Sequence, residues 1–207
     1  QPIGSPLCVD TLSRITRLSD DSLYSVFVNP INIARERTSG LDVSGNLRFE
    51  TGIGLFRLNG GYTWVRTHDI QQYPDEPVVD MFAINSGYDI PRTKATLRLS
   101  WERDAWQASI QGRRLGRLPN DDSYFEIWDA DSGNDPWIGA TYRYNANVQF
   151  NFTDAAQLSL TVVNLFDKKP PYDPTSTGYP YYDISWFDTE GRTFYVQYTH
   201  KFGGSAL

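Results

Sequence analysis

The sequence predicts an all-β chain, a transmembrane antiparallel β-barrel wall with one greasy face and one wet face. Three observations carry this. Run after run alternates apolar and polar residues with a period of two, the signature of a strand that differs on its two sides. Short turns and long loops take strict turns along the chain, which segregates loop length to one end of the sheet, as in outer-membrane barrels. The final run ends on an aromatic, Phe202, five residues before the last residue of the 207; barrels place such an aromatic at the membrane interface.

Taken in order, residues 1–21 read as a polar, proline-containing opening that carries the lone cysteine, Cys8. Residues 22–28 form a first candidate strand. In residues 38–49, Leu41, Val43, Leu47 and Phe49 share one face, opposed by Asp42, Ser44, Asn46 and Arg48. A tight connection at 51–54, where glycine supplies positive φ, returns to Phe56, Leu58, Tyr62 and Trp64. A long polar loop is expected over 66–91. Residues 93–101 alternate Ala95, Leu97, Leu99 and Trp101 against Lys94, Thr96, Arg98 and Ser100. The turn at 102–104 leads into Trp106, Ala108 and Ile110, opposed by Gln107, Ser109, Gln111 and Arg113. After a second long loop over 114–137, residues 140–152 carry Tyr142, Tyr144, Val148, Phe150 and Phe152 on one face. Arg143, Asn145, Asn147 and Gln149 take the other. A turn at 153–155 opens the last pair, with Leu158, Leu160 and Val162 on one strand and Phe194, Val196, Tyr198, His200 and Phe202 on the other. A loop rich in proline, tyrosine and aspartate, 166–190, joins them. The count is about eight strands.

Composition narrows the classes. A net charge of −6 argues against a nucleic-acid partner. The sequence holds no apolar run long enough for a membrane helix and no signal-peptide pattern. A mean hydropathy of −0.48 looks soluble, but alternation hides a lipid face from any average. The 14% aromatic content suits interfacial girdles and loop contacts alike.

The string NLFDKKPPYDP from Asn164, a tyrosine-rich loop, then DTEGRTFYVQYTHKF from Asp188 resemble the end of a TonB-dependent outer-membrane receptor. The earlier stretch ERTSGLDVSGNLRF from Glu36 resembles another strand of that family. The resemblance covers residues 1–207 as one partial β-barrel domain, about the last eight strands of a 22-stranded barrel. It implies short periplasmic turns, long extracellular loops, and a plug and early strands outside this sequence. It also implies the bacterial outer membrane as location and TonB-energised uptake of a scarce nutrient such as a ferric siderophore, cobalamin or an oligosaccharide. Outer-membrane lipid, the plug and N-terminal strands, TonB acting through the plug, and a small-molecule or oligosaccharide ligand are the implied partners. Cys8 would lie in an extracellular loop with its disulfide partner upstream; the alternative is a free surface thiol. Tyr198 and Phe202 would serve as the outward aromatics of the membrane-insertion signal.

On the polar faces, Lys94, Arg98, Arg113 and Arg143 are expected to line a lumen wide enough for water or a plug, because a small closed barrel fills its interior with its own side chains. Ligand recognition is expected in the loops, at Arg117, Tyr124, Trp128 and Trp137 in one and Tyr179, Tyr181, Tyr182 and Trp186 in the other. Aromatics there offer rigid contact area with a polar tip. The same residues could equally pack against one another. All three loops lean acidic, favouring cationic ligands or bridging divalent ions over naked anions.

Catalytic constellations are not recognisable: there is no nucleophile elbow, P-loop or dinucleotide fingerprint. His68 and His200 have no metal-pair spacing, and no cofactor is expected. Asp129, Asp131 and Asp135 resemble the start of a calcium loop, but Ala140 occupies the place of its distal glutamate; calcium and a solvated acidic loop both remain open. Two other functions are compatible with the pattern, a self-contained small outer-membrane barrel or porin and a soluble all-β carbohydrate-binding module.

Overall fold

A computed structural model describes residues 4–28, 35–74 and 76–202. The chain runs α1 (Pro6–Ser13), β1 (Ile15–Arg17), β2 (Leu23–Val26), β3 (Arg35–Thr51), β4 (Gly54–Gln71), β5 (Val79–Asp80), β6 (Thr93–Arg103) and β7 (Trp106–Leu115). It continues through β8 (Leu118–Pro119), α2 (Asp121–Tyr124), a 3-10 turn (Ala130–Ser132), β9 (Trp137–Ile138), β10 (Thr141–Thr153), β11 (Ala156–Val163) and β12 (Thr193–His200).

One antiparallel sheet of eight strands dominates, in the order β12-β11-β10-β7-β6-β4-β3, with the short β5 beside β4. Directly opposed residues of antiparallel strands share a face, so the register can be read across the wall. Phe49, Phe56, Trp101, Ala108, Val148, Leu160 and Val196 pair in sequence across seven strands. One residue along, Arg48, Arg57, Ser100, Ser109, Asn147, Thr161 and Tyr195 form the matching row of the other face. The alternation read strand by strand is therefore in phase over the whole sheet.

Neither face is covered by a second layer among the described residues. Leu97 is 55% exposed and Val196 73%. Among the described residues, buried hydrophobic side chains are confined to Met81, Phe82 and Leu118, all in the long connections. A soluble sandwich would bury its apolar face against a second sheet; here that face is open, as in a membrane wall. Phe49 stacks on Phe56 at 5.3 Å, Trp106 meets Phe150 at 4.6 Å and His200 meets Phe202 at 4.4 Å. All of these lie towards the short-turn end, as an interfacial girdle requires. No helix is long and apolar enough to cross a membrane, which says nothing about strands.

Two glycines are demanded by geometry. Gly54 closes the first tight turn at φ +127, where an L side chain would be strained. Gly40 sits at the register shift between Ser39 and Gly40, and a Cβ there would collide with the Trp64 carbonyl oxygen.

Three expectations need correction. Residues 22–28 do not join the wall. Their strand, β2, pairs instead with β1, because Asp20 accepts from Ser22 N–H and closes a local hairpin. Four residues are also too few to span a bilayer, which takes about 9–11. The loop expected over 66–91 begins later, since β4 runs to Gln71 and pairs with Arg35–Arg37 of β3. The polar opening contains α1, capped by the Ser5 hydroxyl with proline in the first turn, a helix-start pattern legible in the sequence. The eighth strand of the sheet is thus β5, inside a loop.

Candidate functional site

The long connections, residues 72–92, 116–140 and 164–192, gather at one end of the sheet, and buried polar groups join them. The Asn-Leu-Phe-Asp stretch acts as a staple. Asn164, 1% exposed, donates its backbone N–H to Asn145 Oδ1 of β10 at 2.9 Å. Its side chain accepts from Lys168 N–H at 2.8 Å and donates to Lys168 O at 3.0 Å. Asp167 Oδ1 accepts from Arg192 N–H at 2.8 Å, tying the start of the loop to its return. Asn164 and Asp167 both sit near φ +53, a conformation that asparagine and aspartate tolerate best after glycine. Further out, Asp173 is 3% exposed. It accepts from Asp121 N–H at 2.7 Å and from Thr175, bridging two loops at the start of α2.

Below this cluster, on the polar face of β6, β7 and β10, lies a cleft of about 470 Å³. Lys94, Arg113 and Arg143 line it from the wall, and Lys168 and Lys169 from the loop. Asp188 is the one acid in its lining and pairs with Arg143. Trp186 forms part of the roof, with Lys94 Nζ 4.5 Å from its ring centre. The cleft is therefore cationic and partly aromatic, although the chain as a whole is acidic.

The acids collect on the outer side. A second cavity, about 400 Å³, is lined by Asp89, Asp121, Asp173 and Asp183 together with Tyr124, Tyr179 and Tyr182. Burial, reinforced by the neighbouring Asp183 carboxylate, pushes Asp89 up to about 6, against the opposing pull of the Trp186 indole. Burial likewise raises Asp121, helped by the charges of Asp173 and Asp183.

The expected site residues divide accordingly. Lys94, Arg113 and Arg143 come together in the cleft, while Arg98 lies outside it and donates to Ser109 Oγ at 3.2 Å. All four belong to the polar face. Trp186 roofs the cleft; Tyr124, Tyr179 and Tyr182 line the acidic cavity. Tyr181 packs between Tyr172 and Tyr179, and Arg117 stacks separately on Trp137 at 4.1 Å. Trp128 receives a bond from Asn85 Nδ2 at its carbonyl, 3.2 Å away, and its buried indole N–H has no partner. Asp129 and Asp135 accept from the N–H groups of Asp131 and Trp137. Tyr198 and Phe202 are exposed with the apolar row of β12. Cys8 lies in the first turn of α1 and makes no disulfide among the described residues.

Sequence reading missed Lys168 and Lys169, and the cavity acids Asp89, Asp173 and Asp183. The two lysines directly follow the Asn-Leu-Phe-Asp staple, and that adjacency was the available signal. The acids are separated by long stretches of sequence, and only tertiary packing brings them together.

Comparison with known proteins gives the lineage. A family model described as the TonB dependent receptor-like β-barrel matches residues 10–165. No curated protein matches. Among solved structures, the chain is similar to the ferric enterobactin receptor of Pseudomonas aeruginosa, at 19% identity and a TM-score of 0.55 over 83% of this chain. It is also similar to the ferric-catecholate import receptor of E. coli K12, at 19% identity and a TM-score of 0.53 over 91% of this chain. In both cases the matched part is 23% of the other chain, so the sequence spans about a quarter of the receptors it resembles.

Proposed function

The chain belongs to the TonB-dependent receptor-like β-barrel family, and from that premise we propose that it supplies barrel wall and extracellular loops to an outer-membrane receptor for an anionic, siderophore-type ferric chelate. The observation that carries this reading is the cleft under the loops, where Lys94, Arg113, Arg143, Lys168 and Lys169 face a single acid, Asp188. A ferric catecholate suits such a site: its phenolate oxygens outnumber the positive charge of the iron, and its rings can lie against an indole such as Trp186. The solved structures of similar fold include receptors described for ferric enterobactin and ferric catecholate, which supports the class without fixing the compound. The acidic bias of the loops is compatible with this ligand, because these acids line an adjoining cavity rather than the basic cleft.

The chemistry is binding and transfer. The wall cations attract the chelate, charge-assisted contacts hold it, and the plug outside this sequence releases it when TonB acts. Lumen-facing Lys94, Arg98, Arg113 and Arg143 would give the inner wall its positive charge, with Arg98 deeper than the cleft.

Binding of a ferric catecholate to the full-length receptor, followed by fluorescence quenching, tests this. A charge-assisted contact contributes about 1.5–3 kcal/mol, so Lys94→Ala or Arg113→Ala should weaken binding by about tenfold or more. Unchanged affinity in both variants, together with tight binding of a neutral oligosaccharide or of cobalamin, would replace this ligand class.

A further inference from the structure

Trp186 belongs to both loop sites. Its ring lies over Lys94 in the roof of the basic cleft, and its Nε1 donates to Asp89 Oδ2 at 2.9 Å. Asp89 comes from the 72–92 connection, so this bond ties two loops that are far apart in sequence. The Asp183 carboxylate, three residues before Trp186, lies within hydrogen-bonding reach of Asp89 and lines the same cavity. Two neighbouring carboxylates in one cavity repel when both carry charge; one shared proton turns the repulsion into attraction.

We propose that the Asp89–Asp183 pair is a proton-operated latch, which holds Trp186 over the basic cleft while the two carboxylates share a proton and lets the 164–192 loop lift when they do not. The proposal rests on the reading of that cleft as the ligand seat and adds its regulation.

The surroundings favour this behaviour. The groups acting on Asp89 are Asp183, the Trp186 indole, burial and its own backbone, with no cation among them. Asp121 of α2 and the buried Asp173 face the same cavity, and both add negative charge. Glu126 stands against Gly87 on the same connection. Lys94 of β6 sits across the indole ring rather than beside the carboxylates. The titratable groups lining the cavity beside the pair are thus acids and tyrosines, and the acids promote proton uptake by the pair. The sign follows. The carboxyl of Asp89 titrates near 6 when the loops are docked, against about 3.9 when it is free. Docking therefore takes up a proton between those values; it is strongest below the lower one and weakens as pH rises through the upper one. An acidic exterior closes the roof, and a neutral one loosens it.

Spin-label distances on the ligand-free full-length receptor in liposomes test the latch without relying on any ligand. Labels at Ile84→Cys and Tyr172→Cys, with all other cysteines replaced, report the separation of the two loops. A short, narrow distance is expected at low pH, giving way to a longer, broader one as pH rises through the interval between the free and docked values of Asp89. Asp89→Asn retains an acceptor for Trp186 and offers an amide to Asp183, so it should hold the short distance throughout; Asp183→Asn should do the same. A distance that does not change with pH in the parent receptor, or a shift that persists in both asparagine variants, overturns the latch. Ferric-catecholate binding measured in parallel separates the two ideas: binding without the shift removes the latch alone, and the shift without binding removes the ligand class alone.

Discussion

Leu99 and Arg98 are neighbours on β6, yet they leave the sheet in opposite directions. Leu99 pairs with Leu58 and Ile110, and Arg98 with Asn59 and Gln111. An arginine at Leu99 must place its charge in hydrocarbon, at about 2–4 kcal/mol near the midplane, whereas Arg98→Ser loses only a bond from an exposed guanidinium to a half-buried serine. Unfolding of the full receptor in lipid should be sensitive to the first change and nearly blind to the second; equal sensitivity would mean that the two faces have similar surroundings. Asn164 is a different kind of residue, buried at 1% exposure and bonded through its side chain to both backbone groups of Lys168. Asn164→Ala removes those bonds and adds a Cβ-only side chain at positive φ. Losing buried hydrogen bonds costs about 1–3 kcal/mol, and proteolysis of the 164–192 loop should accelerate while the wall stays intact. Hydrogen-bond roles of this sort are not legible from residue type, since asparagine caps, turns and sites look alike in sequence. The faces of Leu99 and Arg98 are legible, because a strand has only two sides.

At the scale of elements, the wall strands were readable and the loops were not, for one reason. Alternation is a local property, and β3, β4, β6, β7, β10, β11 and β12 each carry enough of it to declare both faces. Residues 22–28 alternate too briefly to show which partner they choose, and the nearby β1 takes them. The extension of β4 to Gln71 was obscured by its polarity. Ser39 bonds Thr67 across the pair, and His68 Nε2 lies 2.7 Å from Glu36, so polar pairs continue the ladder where apolar ones stop. The loop cluster depends on bonds such as Asp121 to Asp173 and Trp186 to Asp89, whose members no local pattern connects. β12 makes its own prediction. Tyr198, His200 and Phe202 form an aromatic line at the end of the strand, with Phe202 87% exposed. Phe202→Asp places a charge where an interfacial aromatic belongs, and should sharply lower the amount of receptor inserted in the outer membrane, measured by heat-modifiable migration. Normal insertion would remove Phe202 from the insertion signal.

For the molecule as a whole, the two outer edges of the sheet matter most. Among the described residues, β3 and β12 each have one neighbour in the wall, so their far sides present backbone groups without a strand partner there, which in hydrocarbon cost several kcal/mol each. Rolling the seven wall strands into a closed barrel would bring Arg48, Arg57, Arg98, Arg113 and Arg143 into a narrow interior. The ion pairs Arg57–Glu102 and Arg143–Asp188 would relieve only part of that charge. These 207 residues refolded alone in detergent should therefore aggregate through their edges; a monodisperse, heat-resistant monomer would instead favour a small self-contained barrel.

A single sheet that separates lipid from water must do so along the rows given by its register. Nitroxide labels at Leu99→Cys and Arg98→Cys of the full-length receptor, in native outer membrane, read that directly. Relaxation by oxygen, which concentrates in lipid, should dominate at position 99, and relaxation by a water-soluble nickel chelate at position 98. Comparable access of the nickel chelate to both labels would contradict the account.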